Sequence, residues 1–310
     1  MVPSSSRSSS TPEEVPSALR ALLSGLIDYA GLFPPAGLSL EDAARNFVGY
    51  ARGPHAWILG KFVVPVERVL ELRSFLAGNS DARDLAVSLS VLLGTEPMRD
   101  AALIQAEKAR RSEKPQVSID AVEFRPGSPA IVEKLSAVLP QDVSVFCDIP
   151  YQEDLKAWLT AIRQAGWFAK IRTGGITPES FPSSSAVAES LMQCKAYGVA
   201  LKATAGLHHP VRSEHPLTYE ANSSCTVMHG FLNVFLGAAL LECGISKDQL
   251  IPILEDTDAA HFRFTDDFAH WRKLFVNADD IARTREHFAM SFGSCSFVEP
   301  IQDLQKLSLL

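Results

Sequence analysis

Phe168-Ala-Lys-Ile-Arg-Thr-Gly-Gly175 and Ala200-Leu-Lys-Ala-Thr-Ala-Gly-Leu-His-His-Pro210 decide how this chain is read. Each is a short apolar segment that carries one lysine and ends in small residues. A stretch with helical character, near Ser185 to Tyr197, separates them. Strand, helix and strand at this spacing make the repeating unit of a parallel sheet. A lysine among apolar neighbours is costly unless it is paired or used. The glycines and threonines that follow let backbone approach a ligand closely. The two segments therefore point to chemistry at strand ends.

The same alternation extends in both directions. Upstream, Trp57–Val64, Leu85–Leu93, Val117–Phe124 and Val143–Ile149 read as strands one to four, with helices at Val66–Leu76, Pro97–Arg111, Ala130–Leu139 and Glu153–Gln164. Phe168–Arg172 and Ala200–Ala203 are strands five and six. Beyond them come a polar loop from Leu207 to Asn222, a long helix from Ser224 to Cys243 and a helix near Lys247–Leu254. A seventh strand is expected at His261–Phe264, an eighth at Phe288–Phe292, and a closing helix at Pro300–Leu307. Eight such units predict an α/β fold, a closed (β/α)8 TIM barrel, with an extra N-terminal helical segment at Leu19–Leu26. The rival is an open doubly wound sheet, which carries a Gly-rich turn after its first strand; Val64-Pro-Val-Glu67 is not one. Asp28-Tyr-Ala-Gly-Leu-Phe-Pro-Pro-Ala-Gly37 reads as a lid or barrel plug, because the double proline stops regular structure. Ser39, with Asp42 three residues on, starts a helix that runs to about Tyr50. The expected organisation is a disordered tail over 1–18 and a single barrel domain over 19–310.

The net charge of -7 over 310 residues argues against nucleic acid as the main partner. The N-terminus lacks the apolar run of a secretory signal, and Glu13 and Glu14 stand where that run belongs. The longest apolar stretch, Gly230–Cys243, is broken by Asn233 and Glu242 and is too short to span a bilayer. Five widely spaced cysteines, none in a C-x-x-C pair, fit a reducing compartment. These features predict a cytoplasmic protein with a small-molecule substrate and no nucleic-acid or membrane partner. They leave its oligomeric state open.

A barrel places its active site at the carboxyl ends of the strands. The polar residues expected there are Lys61, Glu123, Arg125, Asp148, Lys170, Arg172 and Lys202, then His208 and His209, and finally Gly293-Ser-Cys-Ser296 with Glu299 beyond. Lys202 is the expected nucleophile: a lysine in an apolar cleft beside a second cation, Lys170, has its pKa lowered, and the neutral amine can attack a carbonyl. Asp148 or Glu123 would shuttle protons. Arg172, Arg125 and Lys61 would hold an anionic substrate, with Thr173, Gly174, Gly175, Gly293, Ser294 and Ser296 as candidates for phosphate.

A lysine on strand six followed by small residues looks like the class I aldolases and related Schiff-base barrels. Lys202-Ala-Thr-Ala-Gly and Lys170-Ile-Arg-Thr-Gly-Gly together resemble the deoxyribose-phosphate aldolase type, whose paired lysines stand in Lys-Thr-Ser-Thr-Gly and Lys-Ala-Ser-Gly-Gly contexts. In that family the Gly-Gly lysine strand comes second; in this chain it comes first. The resemblance implies aldol-type cleavage of a small anionic carbonyl compound, a covalent adduct on Lys202, and no cofactor. Two alternatives stand beside it. One is a divalent-metal lyase or hydrolase using Glu123, Asp148 and His208 or His209, although no His-x-His or His-Glu-x-x-His spacing is present. The other is a barrel that binds a ligand without chemistry. Cys295 has no base adjoining it in sequence.

Overall fold

The computed structural model describes residues 15–110, 114–152 and 154–310. The expected tail falls mainly on residues 1–14, outside them. Helix α1 already begins at Ser17 and runs to Leu23. The chain then forms β1 (Ile27–Tyr29), α2 (Leu40–Arg52), β2 (Leu59–Pro65), α3 (Val69–Gly78), β3 (Ala86–Leu92), α4 (Pro97–Lys108), β4 (Gln116–Phe124), α5 (Pro129–Ser136), β5 (Ser144–Asp148), α6 (Lys156–Gln164), β6 (Phe168–Arg172), α7 (Ser184–Tyr197) and β7 (Leu201–Thr204). A hairpin follows, β8 (Ser213–Pro216) and β9 (Cys225–Met228), then α8 (Phe231–Glu242) and α9 (Lys247–Glu255). Three short strands, β10 (Phe262–Phe264), β11 (Phe268–Trp271) and β12 (Leu274–Asn277), precede α10 (Ala278–His287), β13 (Ala289–Ser294) and α11 (Val298–Lys306).

Eight parallel strands close into a barrel in the order β1-β13-β7-β6-β5-β4-β3-β2. The fold is a (β/α)8 TIM barrel with α1 as the extra N-terminal helix. Phe62, Val64, Leu89, Val91, Val122, Val145, Ala169, Ile171, Leu201 and Ala203 are all buried on its strands. Near-continuous apolar burial is expected where helices cover a parallel sheet. Local signals set the boundaries. The Ser39 hydroxyl accepts from the Asp42 amide at 3.1 Å and starts α2. Gly198, at φ 62°, ends α7 in the left-handed conformation and turns the chain into β7.

Two strand assignments need correction. The barrel's first strand is Ile27–Tyr29, inside the segment expected to be a lid. Three residues are too few to show a periodicity, and the Pro34-Pro35 pair five residues later dominates the reading. Conversely, His261–Phe264 does not supply a barrel strand: β10 pairs antiparallel with β11, Phe262 opposite Trp271, in a separate three-stranded sheet. Its burial alternates, with Phe262 buried and Arg263 exposed, as in a sheet solvated on one side. Strands expected as one to six are therefore β2 to β7, and the eighth expected strand is β13. The loop and long helix expected over 207–243 are instead the β8–β9 hairpin followed by a shorter helix. That helix, α8, is buried from Phe231 to Leu241, as befits one that is apolar all round.

Arg285 fastens the barrel seam. Its buried guanidinium donates to the carbonyls of Leu22 in the last turn of α1, of Ser24 just after it, and of Ala289 and Met290 on β13. Burial lowers its pKa to about 9, yet the carbonyl cage keeps it matched to the charge. Arg285→Leu is expected to cost about 3 kcal/mol by urea unfolding, because four carbonyls lose a charged donor in the interior.

Candidate active site

The interior of the barrel holds five ionisable side chains from five strands, and their signs alternate. Asp28 comes from β1, Lys202 from β7, Glu123 from β4, Lys170 from β6 and Asp148 from the end of β5. Lys202 Nζ lies 2.5 Å from Asp28 Oδ2 and 2.7 Å from Glu123 Oε1. Lys170 Nζ lies 3.0 Å from Glu123 Oε2 and 2.7 Å from Asp148 Oδ1. β4 and β7 are not neighbours, so the Glu123–Lys202 contact crosses the barrel interior. All five residues are buried, Lys202 completely. The second Asp148 oxygen faces Arg125 Nε at 3.4 Å and Arg172 Nη1 at 3.9 Å. Those two arginines reach solvent, so the row runs from a sealed interior to an open rim.

Neighbouring groups complete the hydrogen bonding. Ser90 on β3 donates to Glu123 Oε1 at 2.6 Å. Ser291 on β13 donates to Asp28 Oδ2 at 2.8 Å, and the Lys61 backbone N–H donates to Asp28 Oδ1 at 2.7 Å. Lys61 thus serves through its main chain. Gly60 makes that approach feasible, since a Cβ there would stand 2.4 Å from Asp28 Oδ1. The Lys202 ammonium also lies 5.3 Å from the centre of the Phe146 ring.

This geometry reverses the expected titration of the lysines. Burial pulls the Lys202 ammonium down, but the Asp28 and Glu123 carboxylates outweigh it and its pKa is raised. Lys170 is raised in the same way, against burial, by Glu123 and Asp148. Burial pushes Glu123 up, yet Lys202 and Lys170 hold it well below the usual carboxylate range. Each lysine meets carboxylates before it meets the other lysine, so the mutual depression expected from two adjacent cations does not operate.

A cleft of about 180 Å³ opens over the carboxyl ends of β6, β7 and β13, walled by Gly175, the turn after β7, the β8–β9 hairpin and the start of α11. His208, His209, His215, Tyr219 and Glu299 line it. His208 Nδ1 lies 3.2 Å from Glu299 Oε2, and His209 Nδ1 lies 2.6 Å from Asp303 Oδ2. His215 stacks on His209 with ring centres 3.3 Å apart. Burial alone would lower His208, but bonds to Cys295 and Glu299 raise its pKa to about 9. Burial, with His209 beside it, lowers His215 to about 4. A larger groove, lined by Arg45, Arg52, Phe75 and Asp81, lies between α2 and α3, on the outer face of the fold.

The expected site residues fall into three groups. Glu123, Asp148, Lys170, Lys202, Arg125 and Arg172 come together as the charged row. Gly175, His208 and His209 line the cleft. The others have structural partners. The Thr173 hydroxyl donates to the Ala205 carbonyl at 2.5 Å. Gly174 packs on Gly206, where a Cβ would meet the Gly206 Cα at 2.9 Å. Gly293 faces Thr204, whose Oγ1 would stand 3.3 Å from an added Cβ. Ser294 donates to the Ser296 carbonyl at 2.7 Å, and Ser296 Oγ accepts from the Glu299 amide at 3.2 Å. The Ser294–Ser296 turn therefore caps the start of α11. Among the described residues, no three His, Cys, Asp or Glu side chains converge as a metal-ligating set. His229 and Asn233 bond neighbouring elements, the ring to the Pro182 carbonyl at 2.8 Å ahead of α7 and the amide to the Ile253 carbonyl of α9 at 2.7 Å.

No protein-family model and no curated protein matches this chain. Among the described residues, no helix is long and apolar enough to cross a membrane. The site is therefore read from its own chemistry. Sequence reasoning missed Asp28, Ser90, Ser291 and Tyr219. An acid between Ile27 and Tyr29 was the one available signal for Asp28; the serines and Tyr219 gave none.

Lys202→Met is expected to lower stability by about 3–5 kcal/mol, because Asp28 and Glu123 are left buried without their shared cation. Adding Asp28→Asn and Glu123→Gln should recover much of that loss in the same urea titration. The pH dependence has a definite sign. Glu123, depressed on folding, contributes stability that is full above its unfolded pKa of about 4.3 and is lost as acid approaches its folded value. Lys202 and Lys170, raised on folding, contribute stability that is full below about 10.4 and is lost as alkali approaches theirs. Unfolding titrations of Glu123→Gln and of wild type should therefore converge in acid. In an NMR titration, His208 is expected to change protonation near pH 9 and His215 near pH 4. Glu299→Gln should bring His208 down.

Proposed function

We propose that this protein is an enzyme acting on a small anionic carbonyl compound, with lyase chemistry of the aldolase type through a lysine amine of the barrel. The row Asp28–Lys202–Glu123–Lys170–Asp148 carries this reading. Buried ion pairs are commonly no more stabilising than apolar residues of the same volume. Barrel interiors favour Val, Ile and Leu. Five charges from five strands exceed what packing needs, and they end at the face where barrels of this kind carry out chemistry. A fold of this class is compatible with an enzyme but names no reaction.

The position of each lysine supports Lys170 as the attacking amine, the reverse of the roles expected from the sequence. Lys170 pairs with Asp148, which itself faces Arg125 and Arg172 at the rim. Lys202 lies one carboxylate deeper and fully buried. Lys170 must first give up a proton, and Asp148, 2.7 Å away, is its adjacent acceptor. The free amine then adds to the substrate carbonyl. The new C–N bond forms as the C=O π pair moves onto oxygen, and that oxygen takes protons and leaves as water. The product is an imine that, once protonated, draws the electrons of the bond between the α and β carbons, which leaves an enamine on Lys170 while the β-hydroxyl gives its proton to a base and that fragment departs as an aldehyde or ketone. Lys202 keeps Glu123 ionised throughout, while Arg125 and Arg172 hold the anionic end of the substrate.

Incubation with small anionic aldehydes and α-keto acids under cyanoborohydride should leave one adduct, a substrate mass less one oxygen, on Lys170 by peptide mapping. Lys170→Arg keeps the cation and should abolish it. An adduct on Lys202 would return the covalent role to that residue. Absence of an adduct on both lysines across the panel would overturn the amine mechanism.

A further inference from the structure

One cluster at the cleft is outside the charged row. Cys295 follows β13 directly and is buried. Its sulfur lies 4.0 Å from His208 Nε2 and 3.8 Å from the Tyr219 hydroxyl. The other ring nitrogen, Nδ1, faces Glu299 Oε2 at 3.2 Å, and Tyr219 donates to that same oxygen at 3.1 Å. Thiol, imidazole and carboxylate thus stand in sequence, supplied by three separate segments: the turn after β7, the residue after β13 and the first turn of α11. The sequence showed no base beside Cys295 because His208 is 87 positions away.

We propose that Cys295, which stands behind the cleft-lining His208 and Tyr219, is a nucleophile that adds to the carbonyl of a small aldehyde entering the cleft between them. Near neutral pH His208, raised to about 9, is an imidazolium, with its Nδ1–H turned to Glu299 and its Nε2–H to the sulfur, so it pairs with the thiolate left when the thiol proton goes to solvent. Glu299 fixes the ring and balances its charge, a role carboxylates serve beside a catalytic imidazole. The thiolate sulfur then forms a bond to the carbonyl carbon. The C=O π pair moves onto oxygen, which takes the proton from Nε2, and Nε2 regains one from solvent. The product is a hemithioacetal. No oxidant, leaving group or co-reactant is consumed, and the reverse steps return thiol and aldehyde. The cleft of about 180 Å³ limits the guest to a small molecule.

The remaining cysteines serve as internal controls. Cys225 and Cys243 are exposed, whereas Cys147 and Cys194 are buried, and burial pushes the Cys194 thiol up to about 12. The proposal is independent of the lysine reading. Among the described residues, no ion pair or hydrogen bond joins the charged row to Cys295, His208 or Glu299.

The test is iodoacetamide labelling of the full chain near neutral pH, read by peptide mapping. Cys295 is expected to react about ten-fold faster in wild type than in His208→Gln, while Cys225 and Cys243 react equally in both. Cys147 and Cys194 should stay unlabelled, which reports that each variant is folded; Glu299→Gln, with an intermediate rate, replaces His208→Gln if that variant unfolds. Glycolaldehyde in the reaction should slow labelling of Cys295 and leave Cys225 unaffected. Equal rates at Cys295 in wild type and a folded variant would overturn the proposal, as would protection no greater than at Cys225. In Lys170→Arg the same protection should persist, so failure of the imine mechanism and failure of this one are separable.

Discussion

The ammonium of Lys202, held between Asp28 and Glu123, is the contact on which the arrangement depends. It ties the first strand of the barrel to the seventh and fourth through the interior rather than along the sheet. Charged hydrogen bonds of this kind are strong in a dry interior, and an unmatched member is costly. Every later link inherits its ionisation state from this one. With Lys202 in place, Glu123 stays a carboxylate; with Glu123 a carboxylate, Lys170 stays an ammonium; and Asp148 then faces both Lys170 and the rim arginines.

That alternation has a chemical consequence. A lone buried lysine becomes neutral because burial penalises its charge. A lysine in an alternating row becomes neutral only by passing its proton to a neighbour, and the neighbour's own partner shifts in response. Both lysines are therefore held in the protonated form by the carboxylates on either side of them.

Much of this was legible in the sequence, and the exceptions have physical causes. Lys170 and Lys202 stood out because charge is rare inside apolar strands, and both lie where that rarity suggested. Glu123 and Asp148 were legible on the same ground. Asp28 was not, because β1 is three residues long and its apolar neighbours merge with the preceding helix. The strand count of eight was right although one member was misplaced: Phe262-Arg-Phe264 is a strand, but its alternating burial belongs to an outer antiparallel sheet. The glycines and serines after β6 and β13 advertised an anion cradle, yet Gly174 accommodates Gly206 and Ser296 caps α11. Small residues at a turn do not distinguish a ligand from a close-packed neighbouring turn. The partnership of Cys295 with His208 depends on barrel closure, which no local pattern reveals.

The three-residue strand β1 joins near and distant chain. It pairs on one side with β2, which follows soon after, and on the other with β13. Without β13 and the helix before it, Asp28 lacks Ser291, the carbonyls of Leu22 and Ser24 lack Arg285, and the sheet stands open with β1 and β7 as its two unpaired edges. Closing the barrel and completing the charged interior are one step, carried by contacts of very long sequence separation, the kind that makes folding slow.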